Sequence, residues 1–178
     1  PFSYAVYNWL FYVAYGSVAE AIRGALELGE SWVPTLARLL TLFGVGAGVA
    51  VAYASYVTML RPLDGQTKAV CFSFAVLVAA GPLVGFWGLT VRPDLWGLVL
   101  EITGVGLFWR LYGRRPTAAA VTFFAFAYAA WAFKQTSVTA AGAVALFLIS
   151  ERDWRTFAVL SVPFVGSVAA TLALGSLD

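Results

Sequence analysis

Seven apolar runs, most about as long as a bilayer is thick and cut by short charged segments, constrain this chain more than any motif in it. They are Phe2–Ala19, Trp32–Leu60, Ala69–Thr90, Leu95–Trp109, Thr117–Phe133, Ser137–Ile149 and Thr156–Leu174. A spanning helix needs ~20 mostly apolar residues, so runs of this length read as membrane segments. They are continuous and do not alternate with period two, which favours helices over a β-barrel. The sequence therefore predicts an all-α, polytopic transmembrane helix bundle of about six to seven hydrophobic segments. A single transmembrane domain covers residues 1–178.

Composition sharpens this. Of 178 residues, 61% are hydrophobic and 11% are charged. Soluble domains carry ~25% charged residues, and a soluble protein of this size could not hide so much apolar surface. Histidine is absent and Cys71 is the only cysteine. His-based catalysis, a zinc site and an intramolecular disulfide are thereby excluded. Cys71 lies in an apolar run and reads as packing. A net charge of +2 is too small for a nucleic-acid partner. Membrane lipid is the expected surrounding. The chain opens on Pro1 inside an aromatic run, which reads as a fragment of a longer protein.

Boundaries and orientation follow from tryptophans and loop charges. Trp32, Trp87, Trp96, Trp109, Trp131 and Trp154 lie near segment ends, where indole prefers the headgroups. Arg61, Lys68, Arg110, Arg114, Arg115, Arg152 and Arg155 fall on one side, and Arg23, Arg92 and Lys134 on the other. The positive-inside rule puts the first set in the cytoplasm. One helix over 117–149 would be ~50 Å long at 1.5 Å per residue, so two short helices meeting near Lys134 are expected. Gly44-x-x-x-Gly48 and Gly81-x-x-x-Gly85 read as intramolecular packing faces. Pro/Gly breaks recur at Gly81–Gly85 and Val162–Gly166.

On this topology three polar clusters share the outer side: Glu20–Ser31, Arg92-Pro93-Asp94 and Lys134-Gln135. Each has an ordinary and a functional reading. Arg92-Pro93-Asp94 is either a dipole-matched helix start or an ion pair that orients an anionic substrate. Lys134 either snorkels or neutralises a phosphate. Glu101 sits mid-helix and is either a hydrogen-bonded neutral side chain or a cavity wall. Arg38 either snorkels to the interface or lines the same cavity.

The order of these motifs resembles the GT-C class of membrane glycosyltransferases. The nearest branch is that of protein O-mannosyltransferases, aminoarabinose transferases and lipopolysaccharide-core sugar transferases. The resemblance rests on Pro1-Phe2 with Tyr7-Asn8-Trp9-Leu10-Phe11-Tyr12, on Ala37-Arg38-Leu39-Leu40, on Arg92-Pro93-Asp94 and on Lys134-Gln135-Thr136. It implies a polyprenyl-phosphate sugar donor, transfer on the extracytoplasmic side and a place in the cytoplasmic membrane. Arg92, Asp94, Lys134 and Gln135 become candidates for the donor phosphate, with Arg38 and Glu101 as cavity candidates. The catalytic acid that the family uses is expected upstream of Pro1. No cofactor is implied, and a divalent cation is left open. A transporter or channel module and a non-catalytic subunit of a membrane complex are the alternatives.

Overall fold

The computed structural model describes residues 9–60, 63–80, 94–134 and 136–175. These form helices α1 (Trp9–Ala25), α2 (Val33–Met59), α3 (Gly65–Ala80), α4 (Asp94–Tyr112), α5 (Pro116–Phe133), α6 (Thr139–Ser150) and α7 (Trp154–Gly175). A single 3-10 turn, Glu30–Trp32, leads into α2, and no strand occurs among the described residues. The chain is an all-α bundle. Among the described residues, four helices are long and apolar enough to cross a membrane: Glu30–Met59, Asp94–Tyr112, Pro116–Phe133 and Trp154–Leu174. Large apolar side chains face outward along them, with Phe43 69% and Val162 70% exposed. In water such surfaces would be costly, whereas lipid accepts them.

Small residues set the interior packing. A Cβ on Gly44 would lie 3.0 Å from Trp96, one on Gly48 3.3 Å from Val99, and one on Gly106 2.5 Å from Ser55 Oγ. Residue numbers on α2 and α4 rise together through these contacts, so the two helices run parallel. Gly48 also faces Ala79, and Tyr53 stacks edge-on against Phe72, so α3 returns antiparallel beside α2. Likewise Gly104 faces Phe126 and Phe123, and α4 and α5 form an antiparallel pair. The main core is Phe108, Ala119, Ala120, Phe123, Ala127, Val144, Leu148 and Leu160, from α4 to α7. Phe147 of α6 packs on Phe108, Trp109 and Tyr112, and Asp153 accepts a hydrogen bond from Tyr112 at 3.1 Å. These contacts gather the C-terminus of α4 and the start of α7 at one end, here the Arg110 end.

The 27 residues of α2 carry it well past the start of α4. Its contacts with α4 place Asp94 level with about residue 43, so its first ten residues project ~15 Å beyond α4 at 1.5 Å per residue. That projection pairs with α1. Tyr15 lies 2.9 Å from Thr41 Oγ1, and Thr41 donates its own proton to the Ala37 carbonyl at 3.1 Å. Tyr15 is therefore the donor of the cross-helix bond. Phe11, Tyr15 and Ala37 form a second core, against which Leu40, Trp96 and Phe133 pack.

Several boundaries differ from the sequence reading. The first apolar run was expected to end at Ala19, yet α1 continues to Ala25. Glu20 and Arg23 pair at 2.8 Å across one turn, and nothing before Leu26 breaks the helix. Glu27 then takes a left-handed φ of 52°, and Arg23 Nη1 reaches the Leu28 carbonyl at 3.3 Å. Asp64 starts α3, because its Oδ1 accepts from Thr67 N–H at 2.7 Å. Pro163 lies inside α7 without ending it. The expected break at Lys134 is found: α5 ends at Phe133 and Lys134 is extended, at φ −148° and ψ 124°.

Candidate functional site

The end of the bundle opposite Arg110 brings together two residues singled out from sequence. Asp94 is the first residue of α4, and Lys134 is the residue that ends α5. Lys134 Nζ is paired with Asp94 Oδ1, and both side chains are largely withdrawn from solvent, at 24% and 22% exposure. The second carboxylate oxygen, Asp94 Oδ2, is buried with no hydrogen-bond partner among the described residues. The antiparallel packing of α4 against α5 causes the meeting, since it sets the start of one beside the finish of the other. An acid in a first helical turn also suits the helix dipole. Leu95, 2% exposed, lies directly beneath. Trp96 and Phe133, the next residues inward on either helix, pack on the Phe11–Tyr15 cluster of the projecting hairpin. The ion pair thus lies at the foot of the α1–α2 projection.

The other sequence candidates take different positions. Arg92 and Gln135 lie outside the described residues, as do Gly81–Gly85 and the first half of the aromatic N-terminal motif, Pro1, Phe2, Tyr7 and Asn8. The described partner of Asp94 is Lys134. Arg38 is exposed on the projecting part of α2. Glu101 is half-buried, two turns below Asp94, and its Oε1 accepts from Ala140 N–H at 3.4 Å. Thr139 N–H faces the same carboxyl group. Val138 supplies no side-chain cap to α6, so Glu101 stands in for one from a neighbouring helix. In an apolar surrounding those amide groups have no water to turn to.

The link from α5 to α6 descends into the bundle. Ser137 N–H donates to the Lys134 carbonyl at 2.9 Å, and Val138 N–H to Thr136 at 2.9 Å. A Cβ on Gly97 would lie 2.7 Å from Ser137 Oγ, so a side chain there would oblige the Ser137 hydroxyl to turn away. Since Glu101 is seven residues after Asp94, α6 starts ~10 Å below the ion pair.

Sequence reasoning missed the contacts of the opposite end. Asp153 accepts from Thr156 N–H at 3.1 Å and from Tyr112. The Thr156 side chain and backbone, then Tyr112 and Arg155, hold its carboxyl below the usual carboxylate range, outweighing a small burial effect. The Asp153-x-x-Thr156 spacing ahead of an apolar run was a legible capping signal. No cluster of three or more metal-ligating side chains occurs among the described residues. Comparisons with protein-family models, with curated proteins and with solved structures return no match to this chain.

Proposed function

We propose that this chain belongs to a membrane glycosyltransferase of the GT-C class, which moves a sugar from a polyprenyl-phosphate donor to an acceptor on the extracytoplasmic face of the cytoplasmic membrane. One observation carries the reading. Asp94 and Lys134, drawn from two motifs far apart in sequence, meet at one end of the bundle beneath a projecting helical hairpin. Lys134 supplies positive charge where a lipid phosphate would lie, with Gln135 next to it in sequence and Arg92 two residues before its partner Asp94. Such a charge stabilises negative charge developing on the leaving phosphate during sugar transfer. An ammonium has three donor N–H groups, so it can address both Asp94 and a phosphate. Asp94 keeps it in place meanwhile.

Charge supports the orientation. Among the described residues, Lys68, Arg110, Arg114, Arg115, Arg152 and Arg155 at the Arg110 end stand against Asp64, Glu151 and Asp153. At the Asp94 end Arg23, Arg38 and Lys134 stand against Glu20, Glu27, Glu30 and Asp94. This asymmetry supports a cytoplasmic Arg110 end. A transporter module is the second reading. It is favoured by the short α6, whose N-terminus begins within the bundle, as discontinuous helices do around substrates.

Binding separates the two. The protein in liposomes should retain a polyprenyl phosphate and discriminate against the same polyprenol without phosphate. Lys134→Ala should abolish that discrimination. Equal retention of both lipids by the unaltered protein would reject the donor-phosphate reading.

A further inference from the structure

The Arg110 end carries a groove that the proposed donor site does not use. It lies between α2 and α4, has a volume of about 160 Å³, and is lined by Val51, Ala54, Ser55, Thr103, Leu107 and Arg110. Gly106 forms part of its wall, and the helices draw close there because a Cβ at 106 would meet Ser55 Oγ at 2.5 Å. The groove is graded along the bundle. Val51 and Thr103 lie deepest, Ser55 comes one turn nearer the end, and Arg110 closes the sequence at the mouth.

Its chemistry is equally graded. The Thr103 hydroxyl is spent on the Val99 carbonyl at 2.7 Å, so it offers only lone pairs. Ser55 Oγ and the Arg110 guanidinium make no hydrogen bond or ion pair among the described residues. No acidic side chain lines the groove. Around its mouth the basic residues of that end outnumber the acidic ones, and two of the three acids are engaged: Asp64 caps α3 and Asp153 holds Tyr112 and Thr156. A volume of this size is below that of most drug-sized ligand pockets and suits a headgroup fragment.

We infer that this groove binds the phosphoglycerol part of an anionic phospholipid from the leaflet at the Arg110 end. Arg110 takes the phosphate, for which a planar guanidinium offers paired donors. Ser55 donates to an ester oxygen one turn deeper, and the first part of an acyl chain lies on Val51, Ala54 and Leu107. The surplus positive charge of that end selects an anionic headgroup over a zwitterionic one. The inference does not depend on the activity proposed above, because its site lies at the other end of the bundle.

Native mass spectrometry of the detergent-purified protein tests it, with phosphatidylglycerol, phosphatidylcholine and inorganic phosphate as probes. The unaltered protein should retain phosphatidylglycerol at least tenfold more tightly than phosphatidylcholine and should not bind inorganic phosphate. Arg110→Gln should weaken phosphatidylglycerol about ten- to hundredfold, the range expected for one charge-assisted contact. Arg114→Gln, outside the groove, should change it less than threefold. Ala54→Phe fills the groove from its exposed side and should displace the lipid while leaving Arg110 intact. Wild-type retention in both Arg110→Gln and Ala54→Phe overturns the inference. So does equal retention of the two lipids by the unaltered protein, or binding of inorganic phosphate alone.

Discussion

Removing the Glu101 carboxyl should destabilise α6 in a graded, residue-specific way. In the structure Glu101 Oε1 accepts from Ala140 N–H at 3.4 Å, and Val138 provides no cap of its own. Glu101→Ala leaves first-turn amide groups of α6 without an acceptor in an apolar surrounding. Such an orphan costs ~1–3 kcal/mol, and the long bond distance argues for the lower half of that range. A chain of this size loses ~2–4 °C of melting temperature per kcal/mol. The expected drop is therefore about 2–8 °C. Glu101→Gln keeps a carbonyl acceptor in the same place, so exchanging one acceptor for the other should cost less than ~1 kcal/mol. Its drop should be under about 4 °C and smaller than that of the alanine variant. Thermal unfolding in detergent, followed by loss of monodisperse protein, measures both. Hydrogen exchange over residues 139–142 should rise in Glu101→Ala while the α4–α5 core stays protected. An alanine variant within 1 °C of the parent, or a glutamine variant as unstable as alanine, would refute the capping argument.

Gly104→Val should cost ~1–3 kcal/mol in the same melt by overpacking, since a Cβ there lies 3.0 Å from Phe126; Gly46→Ala, with nothing near, should be silent. In a Cys71→Ser background, cysteines at Gly113 and Asp153 should resist an impermeant thiol reagent in intact cells, while one at Thr136 should react. The reverse pattern would invert the proposed orientation. Asp153→Ala should destabilise by about 0.5–1 kcal/mol at pH 7 through loss of a helix cap. Because the folded carboxyl titrates below its ordinary value, that stabilisation is complete above the unfolded pKa of ~3.9 and fades as pH falls through the lower folded value. The gap between parent and variant should therefore be constant from pH 5 to 8 and close only in acid.

What could be read from the chain divides along physical lines. Apolar periodicity and loop charge are local properties, so the helix content and the break at Lys134 were legible. Pairing of helices was not, because small-residue faces show that a helix packs closely without saying against which partner. Gly44 and Gly48 were visible as a packing face, yet the facing residues Trp96, Val99 and Ala79 emerge only from the fold. Glu101 illustrates the same limit. Its position in an apolar helix signalled a polar partner, but that partner is a backbone amide of α6, and backbone groups leave no mark in sequence. Asp94 and Lys134 were each placed at a segment end on one side, and that shared level let sequence anticipate their convergence, although not that they would pair with each other. Ser55, Thr103 and Arg110 carried no pattern, since their proximity depends on Gly106 admitting α2 beside α4.

The most direct test of the proposed function is sugar transfer from a polyprenyl-phosphate donor by the protein in liposomes, normalised to folded protein. Loss of a partly buried charge-assisted contact of ~1.5–3 kcal/mol predicts a ten- to hundredfold fall for Lys134→Ala, with partial activity kept in Lys134→Arg. Transfer by Lys134→Ala at the rate of the unaltered protein would contradict the assignment of Lys134 to the donor phosphate.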